Sequence, residues 1–265
     1  MSEPFVQLMR TYCIDYTNSH DLSVCDAIMD PDYVVYITGM SLGRDSAYKP
    51  SVAQVFERFP NLGLAVHEFV TNGDRLAMRF SEHAADTSGC LACWPGIGLY
   101  DWNGSQLTTC RVEQDFWSQQ RQLDSGVPDA LEPPHLDPWT TTTASPSQRA
   151  AEQVAREWLV AGDLSRARTG RIDDSAPADY APVVKATATA IHDLFSAGDR
   201  VAFHASLAGT YCGGLSADVA GSEGHAARID VAGILRITGG EVDDARLVTD
   251  RFGTWLRLLS GDGAT

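Results

Sequence analysis

Val66-His-Glu-Phe-Val-Thr-Asn-Gly-Asp-Arg-Leu-Ala-Met-Arg-Phe-Ser81 recurs as Ile191-His-Asp-Leu-Phe-Ser-Ala-Gly-Asp-Arg-Val-Ala-Phe-His-Ala-Ser206, 125 residues later. His, Gly, Asp, Arg, Ala and Ser are identical, and most other positions exchange like for like. A second block follows in the same order at an offset of 135: Gly98, Gly104, Arg111, Asp115 and Leu123 return as Gly233, Gly239, Arg246, Asp250 and Leu258. The change of offset requires an insertion in the second copy, and the Gly-rich run Gly213 to Gly224 is the natural place for it. Two ordered blocks joined by one loop insertion read as an internal duplication.

The copies also begin alike. Phe5, Met9, Tyr12 and Tyr16 stand at helical spacing before His20-Asp21-Leu22, as do Val154, Trp158 and Leu159 before Gly162-Asp163-Leu164. Gly43-Arg44 is matched to Gly170-Arg171, although 22 residues separate Asp21 from Gly43 and 7 separate Asp163 from Gly170. The second copy is therefore degenerate, lacking the short helix and first strand read in Cys25 to Thr38. This gives a first domain over 1–123, a Pro/Thr-rich connector over 124–146 and a second domain over 147–265. Trp139 and Leu131 are the apolar residues expected to pin the connector down.

Within each copy the order is helix, then strands. Gly73-Asp74, Gly198-Asp199, Asn103-Gly104 and Gly239-Gly240 have the chemistry of hairpin turns between apolar runs. Tyr180, Val183, Val184, Thr187, Ile191, Leu194 and Phe195 also fit a helical period; the repeat ends that helix near Ala186.

Composition narrows the functions. Lys and Arg total 20 against 35 Asp and Glu, a net charge of −15, which repels phosphate backbones and anionic lipid. Nucleic acid and membrane are thus excluded as expected partners. No apolar run is long enough for a transmembrane helix, and the Met-Ser-Glu-Pro start lacks secretory character. With six cysteines read as reduced thiols, the expected location is cytoplasmic.

Several motifs invite chemistry that their context does not support. Gly39-Met-Ser-Leu-Gly43 matches a nucleophile elbow, but Pro50 interrupts the helix it needs and hairpins replace the parallel sheet. Cys90-x-x-Cys93 lacks the second pair of a structural zinc site, so no metal is expected. The equivalent His67 and His192 invite a shared role, with pairing to a neighbouring acid as the structural alternative. His83 falls in phase with Arg75, Ala77, Arg79 and Ser81, opposite Leu76, Met78 and Phe80, and reads as solvated.

The order of helix, Asp-Leu, strand, Gly-Arg and two long hairpins resembles the NTF2-like α+β cone. Within it, Gly73-Asp74-Arg75-x-Ala77, Gly198-Asp199-Arg200-Val201-Ala202 and the endings Asp115-x6-Gln122-Leu123 and Asp250-x6-Arg257-Leu258 resemble the SnoaL-like polyketide-cyclase group. The resemblance implies two tandem cones, the second truncated, each a curved antiparallel sheet wrapped on helices around an apolar pocket. It also implies pairing through the sheet face, which the two copies can satisfy as an intrachain pseudo-dimer, or two chains as a homodimer. The implied function is cofactor-independent acid–base chemistry of cyclase, isomerase, dehydratase or hydrolase type on an apolar small molecule such as a polyketide, steroid or terpenoid. A non-catalytic binding or scaffold protein is the alternative. A carboxyl in an apolar pocket suits proton transfer, because desolvation lifts its pKa toward neutrality. The resemblance puts that role on Asp115, with Asp250 and Tyr211 as second-copy equivalents and Tyr16, Tyr36, Trp94 and Trp117 against the ligand. It also exposes departures: Tyr36-Ile37-Thr38 lacks the carboxylate that ketosteroid isomerases carry there, and the Arg with two carboxylates of the fold's epoxide hydrolases is not found.

Overall fold

The computed structural model describes residues 3–261, which divide into two compact units. The first comprises residues up to Val112 together with Ser118–Ser145; the second comprises Glu113–Trp117 and the residues from Pro146 on.

The first unit opens with helix α1 (Pro4–Arg10), which continues as a wider π-type coil over Thr11–Asn18. Asp21 then caps a single turn by accepting from the Ser23 amide at 2.9 Å, and the chain passes through α2 (Cys25–Ile28) into β1 (Met29–Ile37). A hairpin gives β2 (Met40–Gly43), and a second π-type segment, Arg44–Tyr48, leads into α3 (Lys49–Arg58). Two long hairpins follow, β3 (Gly63–Thr71) with β4 (Arg75–Ala85), then β5 (Leu91–Trp102) with β6 (Leu107–Gln114). The sheet order is β2-β1-β6-β5-β4-β3. Helix α4 (Phe116–Ser125) and the turn α5 (Pro138–Thr141) come next.

The second unit repeats this plan with α6 (Arg149–Val160), an Asp163-capped turn, β7 (Thr169–Ile172), the hairpin of β8 (Val184–Ala197) and β9 (Arg200–Tyr211), the hairpin of β10 (Ala226–Thr238) and β11 (Glu241–Thr249), and α7 (Arg251–Ser260). Its sheet order is β7-β11-β10-β9-β8. The α+β expectation of two tandem NTF2-like cones, the second truncated, therefore holds. The sheets are antiparallel except where β1 lies parallel to β6 and β7 parallel to β11.

The two sequence offsets reappear as strand register. Leu76 faces Tyr100, Met78 faces Gly98 and Phe80 faces Gly96. In the second unit Val201 faces Leu235, Phe203 faces Gly233 and Ala205 faces Val231. Both first hairpins also carry a bulge at the repeated histidine, between Val66 and Glu68 and between Ile191 and Asp193. There His67 Nε2 meets Ser81 Oγ at 2.9 Å and His192 Nε2 meets Ser206 Oγ at 2.7 Å. The repeated histidine is thus paired to the repeated serine in both copies, and the pair fixes the bulge.

Four expectations need correction. Arg171 pairs with Arg246 as Tyr36 pairs with Arg111, so β7 takes the place of β1, and Gly170-Arg171 does not correspond to Gly43-Arg44. The second copy keeps its first strand; what it lacks is α2, β2, the Arg44–Tyr48 segment and α3. The stretch leading to Ala186 forms no helix beyond the single turn Pro177–Asp179. Pro182 disfavours helix at Ala181, and the β-branched Val183, Val184, Thr187, Thr189 and Ile191 lead into and populate a strand paired to β9. Finally, Trp139 does pack in the connector, its ring 5.6 Å from Phe69, but Leu131 is exposed. The connector is held instead by the backbone, with the His135 amide donating to Val66 O and the Ser145 amide to Thr71 O.

Glycines on β5 make room for the large rings behind them. A Cβ at Gly96 would collide with the ring of Phe80, and one at Gly98 would lie 2.9 Å from the ring of Tyr100. Gly96→Ala is expected to cost about 1–3 kcal/mol through overpacking. A shift in the urea midpoint of the first unit's transition reads it, and an unchanged midpoint contradicts the packing described. No helix of the described residues is long and apolar enough to cross a membrane.

Candidate functional site

The concave face of the first sheet closes over five tyrosines. Tyr12 and Tyr16 come from the π-type coil, four residues apart on one face. Tyr48 comes from the second π-type segment, Tyr33 from β1 and Tyr100 from β5. All five rings pack in the first unit's core with Phe5, Met9, Met78 and Phe80. Tyr16 Oη donates to Tyr48 Oη at 2.9 Å, and Tyr12 Oη lies 3.1 Å from the same oxygen. The ring of Tyr33 stands edge-on to that of Tyr48 at 5.9 Å. The Tyr33 hydroxyl is fully buried, with the Cys110 thiol as its neighbour.

Burial, reinforced by the neighbouring phenols, holds Tyr12, Tyr16, Tyr33 and Tyr100 well above the ordinary phenol range. They are neutral hydrogen-bond donors at any working pH. Burial also pushes the Cys110 thiol up to about 12 and Cys25 to about 11, so neither is a thiolate nucleophile. The carboxylate whose charge reaches this cluster is Glu82, which adds to the elevation of Tyr16. Glu82 follows Leu76, Met78 and Phe80 along the inward face of β4, opposite Leu64 on β3 and Trp94 on β5. Sequence reasoning missed it, although the alternation that set His83 outward also sets Glu82 inward.

The residues expected at the site divide. Tyr16 lies at its centre. Trp94 is buried on the same face of β5 as Tyr100 and packs against Phe59 at 5.6 Å, away from the hydroxyls. Tyr36 alternates with Val35 and Ile37 and so faces the other side, where the Arg111 guanidinium covers its ring at 4.1 Å. Trp117 belongs with the second unit, its ring 6.1 Å from that of Trp255. Asp115 is buried there too, accepting from Arg251 Nη2 at 2.6 Å. The same guanidinium reaches Asp174 Oδ1 at 3.2 Å and Asp173 Oδ2 at 3.6 Å. Asp250 caps α7 by accepting from the Gly253 amide at 2.7 Å and lies 3.3 Å from Arg257. Tyr211 is buried, and its hydroxyl accepts from the Leu215 amide. Among the described residues, no three His, Cys, Asp or Glu side chains group as a metal site.

Residues 7–95 match the family model described as SnoaL-like polyketide cyclase. This stretch of the first unit is similar to that family. The matched stretch holds all of the tyrosine cluster except Tyr100, and it holds Glu82. No curated protein matches the chain. Solved structures resemble this chain at low identity, each over less than half of its length. One is a candidate polyketide cyclase from Acidithiobacillus ferrooxidans, with 20% identity over 47% of this chain and 94% of that one, TM-score 0.40. IdmH, a candidate polyketide cyclase from Streptomyces antibioticus, has 16% identity over 46% and 99%, TM-score 0.42. TerC, crystallised with polyporic acid, has 17% identity over 46% and 98%, TM-score 0.41.

Proposed function

We propose that the SnoaL-like unit binds an apolar carbonyl compound and moves a proton at the carbon beside the carbonyl. The observation that carries this is the convergence of neutral tyrosine hydroxyls in a buried interior, with the Tyr33 hydroxyl left against only the weak acceptor of the Cys110 thiol. Such a group costs about 1–3 kcal/mol unless something supplies an acceptor. A ligand oxygen is that acceptor. Tyr16 donates to Tyr48, and in the arrangement where Tyr12 donates to it as well, Tyr48 has its own proton for the same oxygen. Two phenols in low dielectric then stabilise the negative charge that develops on the oxygen as an enolate forms. Glu82, on the inward face, is the base. Cyclase, isomerase and dehydratase reactions share this enolisation step, so the reading names the step they have in common.

The test is deuterium exchange of 2-tetralone in D2O, followed by NMR. The intact chain is expected to accelerate exchange, and Tyr48→Phe, which removes the acceptor of two hydroxyls and one donor to the ligand, to lower the rate about 10²-fold. Exchange no faster than in buffer sinks the catalytic reading. The non-catalytic alternative is favoured by one observation: Asp115, the acid expected from sequence, is held by Arg251 rather than placed in the SnoaL-like core.

A further inference from the structure

Three aromatic rings of the second unit gather at its surface. Trp117, Phe252 and Trp255 are all partly exposed. The centroids of Trp117 and Trp255 lie 6.1 Å apart with the rings at 64°, and Phe252 stands 5.4 Å from Trp255 at 45°. Trp255 leans on the unit's core, whereas Trp117 and Phe252 pack against neither hydrophobic core. Rings meeting at such angles make a corner rather than a stack, and a corner leaves ring faces to solvent.

The corner is also acidic. Both carboxylate oxygens of Asp218 accept from the Trp255 indole Nε1 at 3.2 Å, which fixes that ring's orientation. Hydrogen bonds from Ser216 and Trp255 hold Asp218 below the usual carboxylate range, so it is charged. Arg251, next to Phe252 in the chain, is shared by Asp115 at 2.6 Å, Asp174 at 3.2 Å and Asp173 at 3.6 Å. Even with Asp173 protonated, Asp115, Asp174 and Asp218 outnumber the one guanidinium. Arg257, two residues beyond Trp255, is held by Asp250 at 3.3 Å. The guanidinium groups that stack on rings, Arg58 on Phe59 and Arg111 on Tyr36, do so elsewhere. Ring faces and carboxylates attract the same guest, a cation, and the rings favour a bulky, weakly hydrated one.

We infer that Trp117, Phe252 and Trp255 bind a methylated ammonium group, with Asp218 supplying the counter-charge. The site lies at the surface of the second unit and stands independently of the enolisation proposed for the first. Choline-type small molecules and methylated lysine side chains share this headgroup.

The test compares choline with 3,3-dimethylbutan-1-ol, which has the same shape and no charge, on the full chain labelled with 15N. The indole N–H resonances of Trp117 and Trp255 are identified by their loss in Trp117→Phe and Trp255→Phe. Choline is expected to move both saturably, and the neutral alcohol to bind at least about tenfold more weakly. Trp117→Leu, which removes one ring face, should weaken choline about fivefold. Asp218→Asn keeps an acceptor for the indole and should weaken it about threefold. Resonances that stay in place, shifts reproduced by sodium chloride at the same concentration, or equal binding of the alcohol overturn the site, as does unchanged affinity in both variants. The choline–alcohol comparison is made on the unaltered chain, so it decides the matter even where a variant fails to fold. Choline set against a peptide carrying trimethyl-lysine then separates the two sources, and tighter binding of either supports the site.

Discussion

Glu82→Gln is expected to lower the 2-tetralone exchange rate by about 10²–10³-fold, the usual consequence of removing a general base while keeping the side chain's size. The variant keeps a polar group opposite Leu64 and Trp94, so the β3–β4–β5 ladder is unaffected, and circular dichroism should match the parent. Asp115→Asn separates the two candidate acids. It breaks a buried ion pair and lowers stability, since Arg251 loses the partner it holds at 2.6 Å. The exchange rate per folded molecule should nevertheless stay within about twofold, because Asp115 packs with the second unit. The opposite pattern, a lost rate in Asp115→Asn and a normal one in Glu82→Gln, would return the chemistry to the residue that the sequence suggests. Equal indifference would leave a protein that binds and does not react.

The fold was more legible than the site because the two depend on different signals. Pairs such as Gly98 and Gly233 mark where a ring crosses the strand, and a ring leaves the same trace in both copies. Turn glycines such as Gly73 and Gly198 adopt positive φ and announce their hairpins. The missing piece was misassigned for a physical reason: Gly-Arg is a short match, and only the parallel register of β7 on β11 shows that Arg171 stands for Tyr36. Site residues depend on which face of a strand looks inward. Tyr36 and Tyr33 differ by three positions and so lie on opposite faces of β1, although nothing in their identity distinguishes them. Tyr12 and Tyr16 stand at a spacing that helical periodicity shows, but Tyr48 meets them from the separate Arg44–Tyr48 segment, a long-range contact that periodicity does not reveal. Asp115 is read correctly as buried and incorrectly as belonging to the first core, since its partner Arg251 lies 136 positions away.

Stability should fall as pH rises from about 4 to about 7, the reverse of ordinary acid denaturation, and Asp173 is the reason. Burial pushes its carboxyl up to about 7, against the pull of Arg251 and with the push of Asp115. Asp250 is raised as well, by burial opposed by Arg257. A carboxyl raised in the folded state binds more protons there than in the unfolded chain between the two pKa values. Its contribution is therefore complete below about 4 and is lost as pH climbs through 7. Exposed acids such as Asp21 and Asp86 are shifted down by hydrogen bonds to Ser23 and Ser88, and their opposing effect is confined to more acidic pH. Asp173→Asn tests the assignment with little change of shape. The amide oxygen can accept from the Thr249 amide, now bonded at 2.7 Å, and its NH2 can donate to Thr249 Oγ1. Arg251 retains Asp115 and Asp174. Urea midpoints of the second unit should therefore decline between pH 5 and pH 8 in the parent chain and decline less steeply in Asp173→Asn, which keeps Asp250. A parent chain that gains stability over that interval, or a variant that declines just as steeply, would show that the buried carboxyl is ionised throughout and held by its arginine.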